Sequence, residues 1–156
     1  MNNMELKYKR AHLEDLPFII EVYDSNIQAV HGIKRDLNIW KTLFNNPNSE
    51  YYIAYSDIYL GWFRIDYEDD FELGMIQVAP LHQRSGVGKF IIKTVEELAK
   101  AKGYKTIIIH TTKDNNTAQK LYKTCEYSLI EEGNYQTLID KKGRFAELVE
   151  RQRLDV

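Results

Sequence analysis

The sequence predicts an α/β fold, in which a mixed, mostly antiparallel sheet with a central parallel strand pair is flanked by helices. Three observations carry this expectation. Residues 51–55 and 59–65 are aromatic and β-branched runs joined by Ser56-Asp57, the pattern of a hairpin. Leu73, Met75, Ile76 and Val78 read as a further strand that stops at Pro80, which has no N–H to give a sheet ladder. Between that strand and the continuous β-branched run 106–110 lies one long amphipathic helix, and a strand, crossover helix and buried strand make a parallel pair.

Each element follows from its own residues. Leu6, Tyr8 and Arg10 alternate with Lys7 and Lys9 as a first strand. Glu14-Asp15-Leu16-Pro17 opens a helix with early acids and an early Pro, and Leu16, Ile19, Ile20, Tyr23 and Ile27 make its apolar stripe. A loop with Gly32 leads to a shorter helix around Leu37, Ile39, Trp40, Leu43 and Phe44, ended by Asn45-Asn46-Pro47. The acidic stretch 66–70 reads as a solvated hairpin tip before the central strand. The long helix places Val87, Phe90, Ile91, Thr94, Val95, Leu98 and Ala99 on one face, with Lys100, Lys102 and Gly103 as its cationic last turn and stop. Asn115 to Ala118 starts another helix with the stripe Ala118, Leu121, Tyr122 and Cys125, and residues 127–130 and 145–149 read as the last strands, with Gly133-Asn134 and Lys142-Gly143 as turns. No repeat or low-complexity linker interrupts residues 1–156, so a single domain is expected.

Composition narrows the function. With 21 basic and 23 acidic residues the net charge is −2, and no basic block tracks a nucleic-acid backbone, so no nucleic-acid partner is expected. The start has no apolar signal core and no run reaches a membrane span of about 20 residues, so a cytoplasmic protein without membrane contact is the expectation. Cys125 is the only cysteine and suits a buried structural thiol. The histidines His12, His31, His82 and His110 have no ligand spacing, and no metal is expected.

The chemistry concentrates at Gln83-Arg84-Ser85-Gly86-Val87-Gly88-Lys89. A turn feeding a helix leaves the first N–H groups without intrahelical partners, at the positive end of the helix dipole. Gly86 and Gly88 let an anion approach the main chain and suit φ values that other residues resist. Phosphate fits such a site. The spacing fits neither a Walker A loop, which would need Gly at Gln83 and Ser or Thr at Phe90, nor a dinucleotide fingerprint, which would need a small residue at Ile91.

The pattern Gln-x-x-Gly-x-Gly after Val-x-Pro, with Asn115-x-x-Ala118-x-x-Leu121-Tyr122 further on, resembles the GCN5-related N-acetyltransferase superfamily. Where that family usually has Gly before an aromatic, this chain has Glu126-Tyr127. The resemblance implies an N-acetyltransferase that uses acetyl-CoA (acetyl-coenzyme A) as co-substrate and a primary amine, small or on a peptide, as acceptor. A non-catalytic acyl-CoA sensor is the alternative, and a homodimer is compatible with either. It further implies that the main chain of Gln77 and Val78 pairs with the pantetheine arm. The N–H groups of Gln83, Arg84, Ser85, Gly86, Val87, Gly88 and Lys89 hold the pyrophosphate, and Asn115 bonds pantetheine near the thioester.

The reaction implied needs a base and an acid. An ammonium of pKa about 10 must lose a proton before it attacks, and a thiolate whose conjugate acid has a pKa near about 8.5 departs better if protonated. The resemblance gives Glu72 the role of base and Tyr122 that of acid. The oxyanion donor falls to a main-chain N–H of the central strand, at Val78.

Overall fold

Strands Lys7–Arg10 (β1), Ser49–Tyr55 (β2), Tyr59–Asp66 (β3), Phe71–Val78 (β4) and Ile107–Ile109 (β5) form one sheet in that order in the computed structural model. Neighbours are antiparallel from β1 to β4, and β4 and β5 are parallel. The helices are Leu16–Gln28 (α1), Leu37–Phe44 (α2), Val87–Ala101 (α3) and Asn116–Thr124 (α4). The structure describes residues 5–28, 33–67, 70–109, 116–125 and 127. They belong to two units, Met1–His110 and Thr111–Val156. The mixed, mostly antiparallel sheet expected from the sequence is the one found. The strands expected at 127–130 and 145–149 lie outside the described residues apart from Tyr127, as does His110.

Local chemistry accounts for the helix ends. Asp36 caps α2 by accepting the Ile39 N–H at 2.9 Å. At the far end of α3, Gly103 takes φ +84°, the Tyr104 N–H reaches the Ala99 carbonyl at 2.9 Å and the Gly103 N–H reaches that of Lys100 at 3.1 Å, so a left-handed glycine closes the helix as expected. Ile107, Ile108 and Ile109 are half-buried, whereas the sequence reading expected burial on both faces. Among the described residues β5 pairs with β4 alone.

The face of the sheet under α1 and α2 holds an aromatic core. Trp40 and Trp62 are both fully buried, with rings crossing edge to face at 6.1 Å, and Tyr51 lies 5.7 Å from Trp62. Leu16, Ile19 and Val22 of α1 close over them with Ile53 and Ala11. Leu37 and Ile39 of α2 remain exposed, so α2 docks mainly through Trp40.

Two acids are drawn in from solvent, Asp15 buried and Asp66 half-buried. Asp15 ends a 3-10 turn before α1 and is 5 % exposed. Its carboxylate accepts the His12 N–H at 2.9 Å and the Tyr59 hydroxyl at 2.8 Å, with Lys9 Nζ at 3.9 Å. Burial pushes this carboxyl up, but those hydrogen bonds and Lys9 outweigh it and hold it below its usual value. A depressed folded value stabilises the protein above the unfolded carboxyl pKa of about 3.9, and that stability is lost as pH falls through the folded value. Asp15→Asn should therefore flatten the fall of melting temperature between about pH 5 and pH 3. Asp66, which was read as part of a solvated tip, accepts Arg64 Nε at 3.0 Å and the Ser49 hydroxyl at 2.6 Å. The tip reading fails at this residue because the β3 ladder reaches Asp66 and brings Arg64 and Ser49 to it.

In the second unit, Leu121 and Cys125 of the α4 segment are half-buried and Tyr122 is buried. Cys125 is thus less enclosed than its place on the apolar stripe suggested. The Tyr127 N–H bonds the Tyr122 carbonyl at 3.0 Å, and the two rings lie 6.3 Å apart. No helix among the described residues is long and apolar enough to cross a membrane.

Candidate functional site

The site begins where β5 ends. β5 pairs with β4 only at Phe71, Glu72 and Leu73, so from Gly74 to Val78 one edge of β4 has no strand beside it among the described residues. Gly74 itself has no partner in the β3 register, which shifts at this point, so it forms a bulge in β4.

Register decides which groups face that open edge. The Ala79 N–H bonds the Leu60 carbonyl at 2.9 Å, and alternation along an antiparallel ladder then directs the main chain of Gln77 and Met75 toward β3. Ile76 and Val78 therefore turn their N–H and C=O outward. Gln77, expected to pair through its main chain, contributes its side chain instead. Asn26 of α1 donates to Gln77 Oε1 at 2.7 Å and to the Val78 carbonyl at 3.0 Å. Gln83 Nε2 donates to Asn26 Oδ1 at 3.0 Å and to the same Val78 carbonyl at 3.2 Å. With both lone pairs of that carbonyl engaged, Val78 offers the open edge its N–H.

The turn that follows is bent by two left-handed residues. Arg84 has φ +63° and Gly86 φ +91°, whereas Gly88 is helical. Only one of the two glycines therefore supplies the unusual backbone expected of both. A non-glycine in this conformation costs about 1–2 kcal/mol, and such strain concentrates at functional segments. The Ser85 hydroxyl ties the turn to the His82 carbonyl. The first helical bond is Phe90 N–H to Gly86 carbonyl at 3.0 Å, so the N–H groups of Val87, Gly88 and Lys89 have no partner among the described residues. A Cβ at Gly86 would meet nothing within 4 Å, so the approach to these amides is open. Arg84 and Lys89 are exposed beside it. Converging main-chain donors with adjacent cations are what a diphosphate requires.

Glu72 sits on β4 opposite Asp66 and is 5 % exposed, not a solvated surface charge. Cross-strand pairing puts it on the same face as Asp66, Met75 and Gln77, the face covered by α1. Tyr122 belongs to the second unit, and burial pushes its phenol up to about 12. Asn115 lies outside the described residues.

Asn26 was not anticipated. Its signal was present, because it occupies the next place on the stripe Leu16, Ile19, Tyr23, where an apolar residue would extend the core. Arg84 as a left-handed residue had no comparable signal.

Gly61 of β3 shows how tightly this corner is built. A Cβ there would meet the Gln77 carbonyl oxygen at 2.6 Å and Val78 Cα at 3.2 Å, so Gly61→Ala must push β4 at its open end. That variant should lose about 1–3 kcal/mol of stability, read by urea denaturation, and weaken any ligand held by Val78.

Comparison with known proteins gives the family and the fold. The model of the Acetyltransferase (GNAT) family matches residues 11–127. Probable N-acetyltransferase 14 of Xenopus tropicalis is 36% identical over 58 residues, which are 37% of this chain and 28% of that protein, so the match spans just over a quarter of the relative. Among solved structures, the ribosomal-protein-alanine N-acetyltransferase from Brucella melitensis biovar Abortus 2308 superposes with a TM-score of 0.70 at 17% identity, covering 84% of this chain and 96% of that one. AAC(6')-Iy, solved with the bisubstrate analogue CoA-S-monomethyl-acetylneamine, gives 0.67 at 17% identity, with 84% and 96% covered. At these identities the structural likeness is one of fold.

Proposed function

Because the chain belongs to the GNAT family of acetyltransferases, we propose that it transfers an acetyl group from acetyl-CoA to a primary amine, by direct attack on the thioester, within a single domain. The observation that carries this reading is that, among the described residues, β4 has an edge without a neighbour from Gly74 to Val78 and the amides at the start of α3 have no partner. The edge suits the amide-bearing pantetheine arm, paired like an added half-strand, and the amides suit the pyrophosphate. A protein of the same fold holds a coenzyme A bisubstrate analogue.

Bound acetyl-CoA supplies the activated acyl group as its thioester. The chain's own residues do the rest. Ile76 presents both a donor and an acceptor to the pantetheine amides, in place of Gln77. The N–H of Val78 steadies the carbonyl oxygen where negative charge develops. The amides of Val87 to Lys89, with Arg84 and Lys89, hold the diphosphate, and Asn115 holds pantetheine near its sulfur end. Glu72, on the face under α1, takes the proton from the incoming ammonium directly or through water. Tyr122 gives a proton to the departing sulfur.

Two measurements test the assignment. Acetyl-CoA at a hundred times its dissociation constant should stabilise the protein by about 2.7 kcal/mol in a thermal scan. An amine panel of aminoglycosides, polyamines, amino acids and amino-terminal peptides, read by thiol release, should then reveal turnover. Stabilisation without thiol release from any amine would make the protein a sensor instead. Glu72→Gln should remove the acidic limb of the kcat/KM profile and lower its plateau by about a hundredfold; an unchanged profile would take the base role from Glu72.

A further inference from the structure

The reading above leaves Asn26 without a task, yet no other described side chain outside the turn is bonded to so much of the corner. It lies on α1, a helix from the other end of the sequence, and reaches the last residue of β4 and the first of the turn. Its orientation is dictated by its partners. Gln77 Oε1 and the Val78 carbonyl only accept here, so Asn26 Nδ2 faces them with both of its N–H groups, leaving Oδ1 for Gln83 Nε2. Gln83 in turn divides its own two N–H groups between Asn26 and Val78.

The consequence is local and directional. Two donors converge on the Val78 carbonyl, which orients that peptide, while the adjoining N–H of Val78 is left toward the open edge. The two bonds from Gln83, to Asn26 Oδ1 and to the Val78 carbonyl, hold the entrance to the strained segment at Arg84 and Gly86. We infer that Asn26 is a positioning residue for the coenzyme site, holding the Val78 peptide and the entry to the turn in the arrangement that pantetheine and pyrophosphate bind. The inference rests on the proposed acetyl-CoA reading and adds to it a dependence of coenzyme affinity on α1. Every member of the network is an amide, so the effect is independent of pH across the neutral range.

The decisive variants are Asn26→Asp, which keeps the shape but sets a carboxylate oxygen against two acceptors, and Gln83→Leu, which cuts the same network from an exposed position on the turn. Acetyl-CoA binding by calorimetry, melting temperature and steady-state kinetics are measured on the wild type, both single variants and the double variant. Each single change should raise the dissociation constant and the KM for acetyl-CoA about tenfold and, because the Val78 residue it orients carries the oxyanion donor, lower kcat as well, with the acceptor KM held within about twofold. Because both act through one network, the double variant should fall at about tenfold to twentyfold and not at the product of the two. Additive losses, or an Asn26→Asp protein that melts lower yet binds acetyl-CoA as the wild type does, would overturn the inference and leave the coenzyme site standing. A wild type that does not bind acetyl-CoA would overturn both.

Discussion

Replacing Tyr122 with Phe should lower turnover by about a hundredfold or more while leaving the affinity for acetyl-CoA within about twofold. The change removes one oxygen and its proton from a side chain that is otherwise a buried ring, so packing is nearly conserved and the loss reports the proton alone. Burial raises the phenol to about 12, so it remains protonated wherever the enzyme is assayed. Below about pH 10 the rate should show no descending limb from this group. Stability adds a second reading with a defined sign. A raised folded value stabilises the protein fully below the unfolded tyrosine pKa of about 10, and that contribution is lost as pH rises through the folded value. The Phe variant should therefore resist alkaline unfolding better than the wild type between about pH 10 and pH 12. Turnover unchanged in Tyr122→Phe would remove the acid role.

The largest effect on stability should come from Trp62→Ala, at about 3–5 kcal/mol. Trp62 is fully buried between Trp40 and Tyr51, and neither neighbour can collapse into the space without abandoning its own contacts with α1 and α2. Against a total of about 5–15 kcal/mol for a domain, the loss should lower the melting temperature by about 10 °C. Because Trp62 is opposite Gln77, the cavity opens beneath the end of β4. Acetyl-CoA affinity should fall along with stability, in contrast to Tyr122→Phe. A drop in melting temperature of less than about 3 °C would mean that the aromatic cluster is not the support inferred here.

Periodicity and punctuation carried the fold. The stripe from Val87 to Ala99 and the stop at Gly103 placed α3 within two residues of its ends, and Pro80 marked the limit of β4. Those signals are local, which is why a single chain displays them. What the sequence hid depends on neighbours far along the chain. Asp66 and Glu72 look like members of an acidic surface run, and only strand pairing across β2, β3 and β4 brings Ser49 to the first and burial to the second. Register also decides that Ile76, not Gln77, faces the open edge. The turn itself was legible through its glycines and the helix behind it. The left-handed Arg84 was not, because nothing in the residue type announces it. The Asn26 network depends on α1 meeting β4, a contact between residues 51 positions apart.

Gly74 has no side chain for a reason that lies on β3. A Cβ at this bulge would come within 2.0 Å of Asp66 Oδ2 and 2.8 Å of Arg64 Nη2, so the ion pair occupies the volume a methyl group would need. A methyl group at Gly74 would thus require the Arg64 and Asp66 side chains to shift. In homologues a chain that carries alanine at the first of these positions should have surrendered the charges at the other two. Restoring the two charges while alanine still stands at position 74 is the step that evolution, or an engineer, should find hardest, whereas restoring the glycine first meets no obstacle.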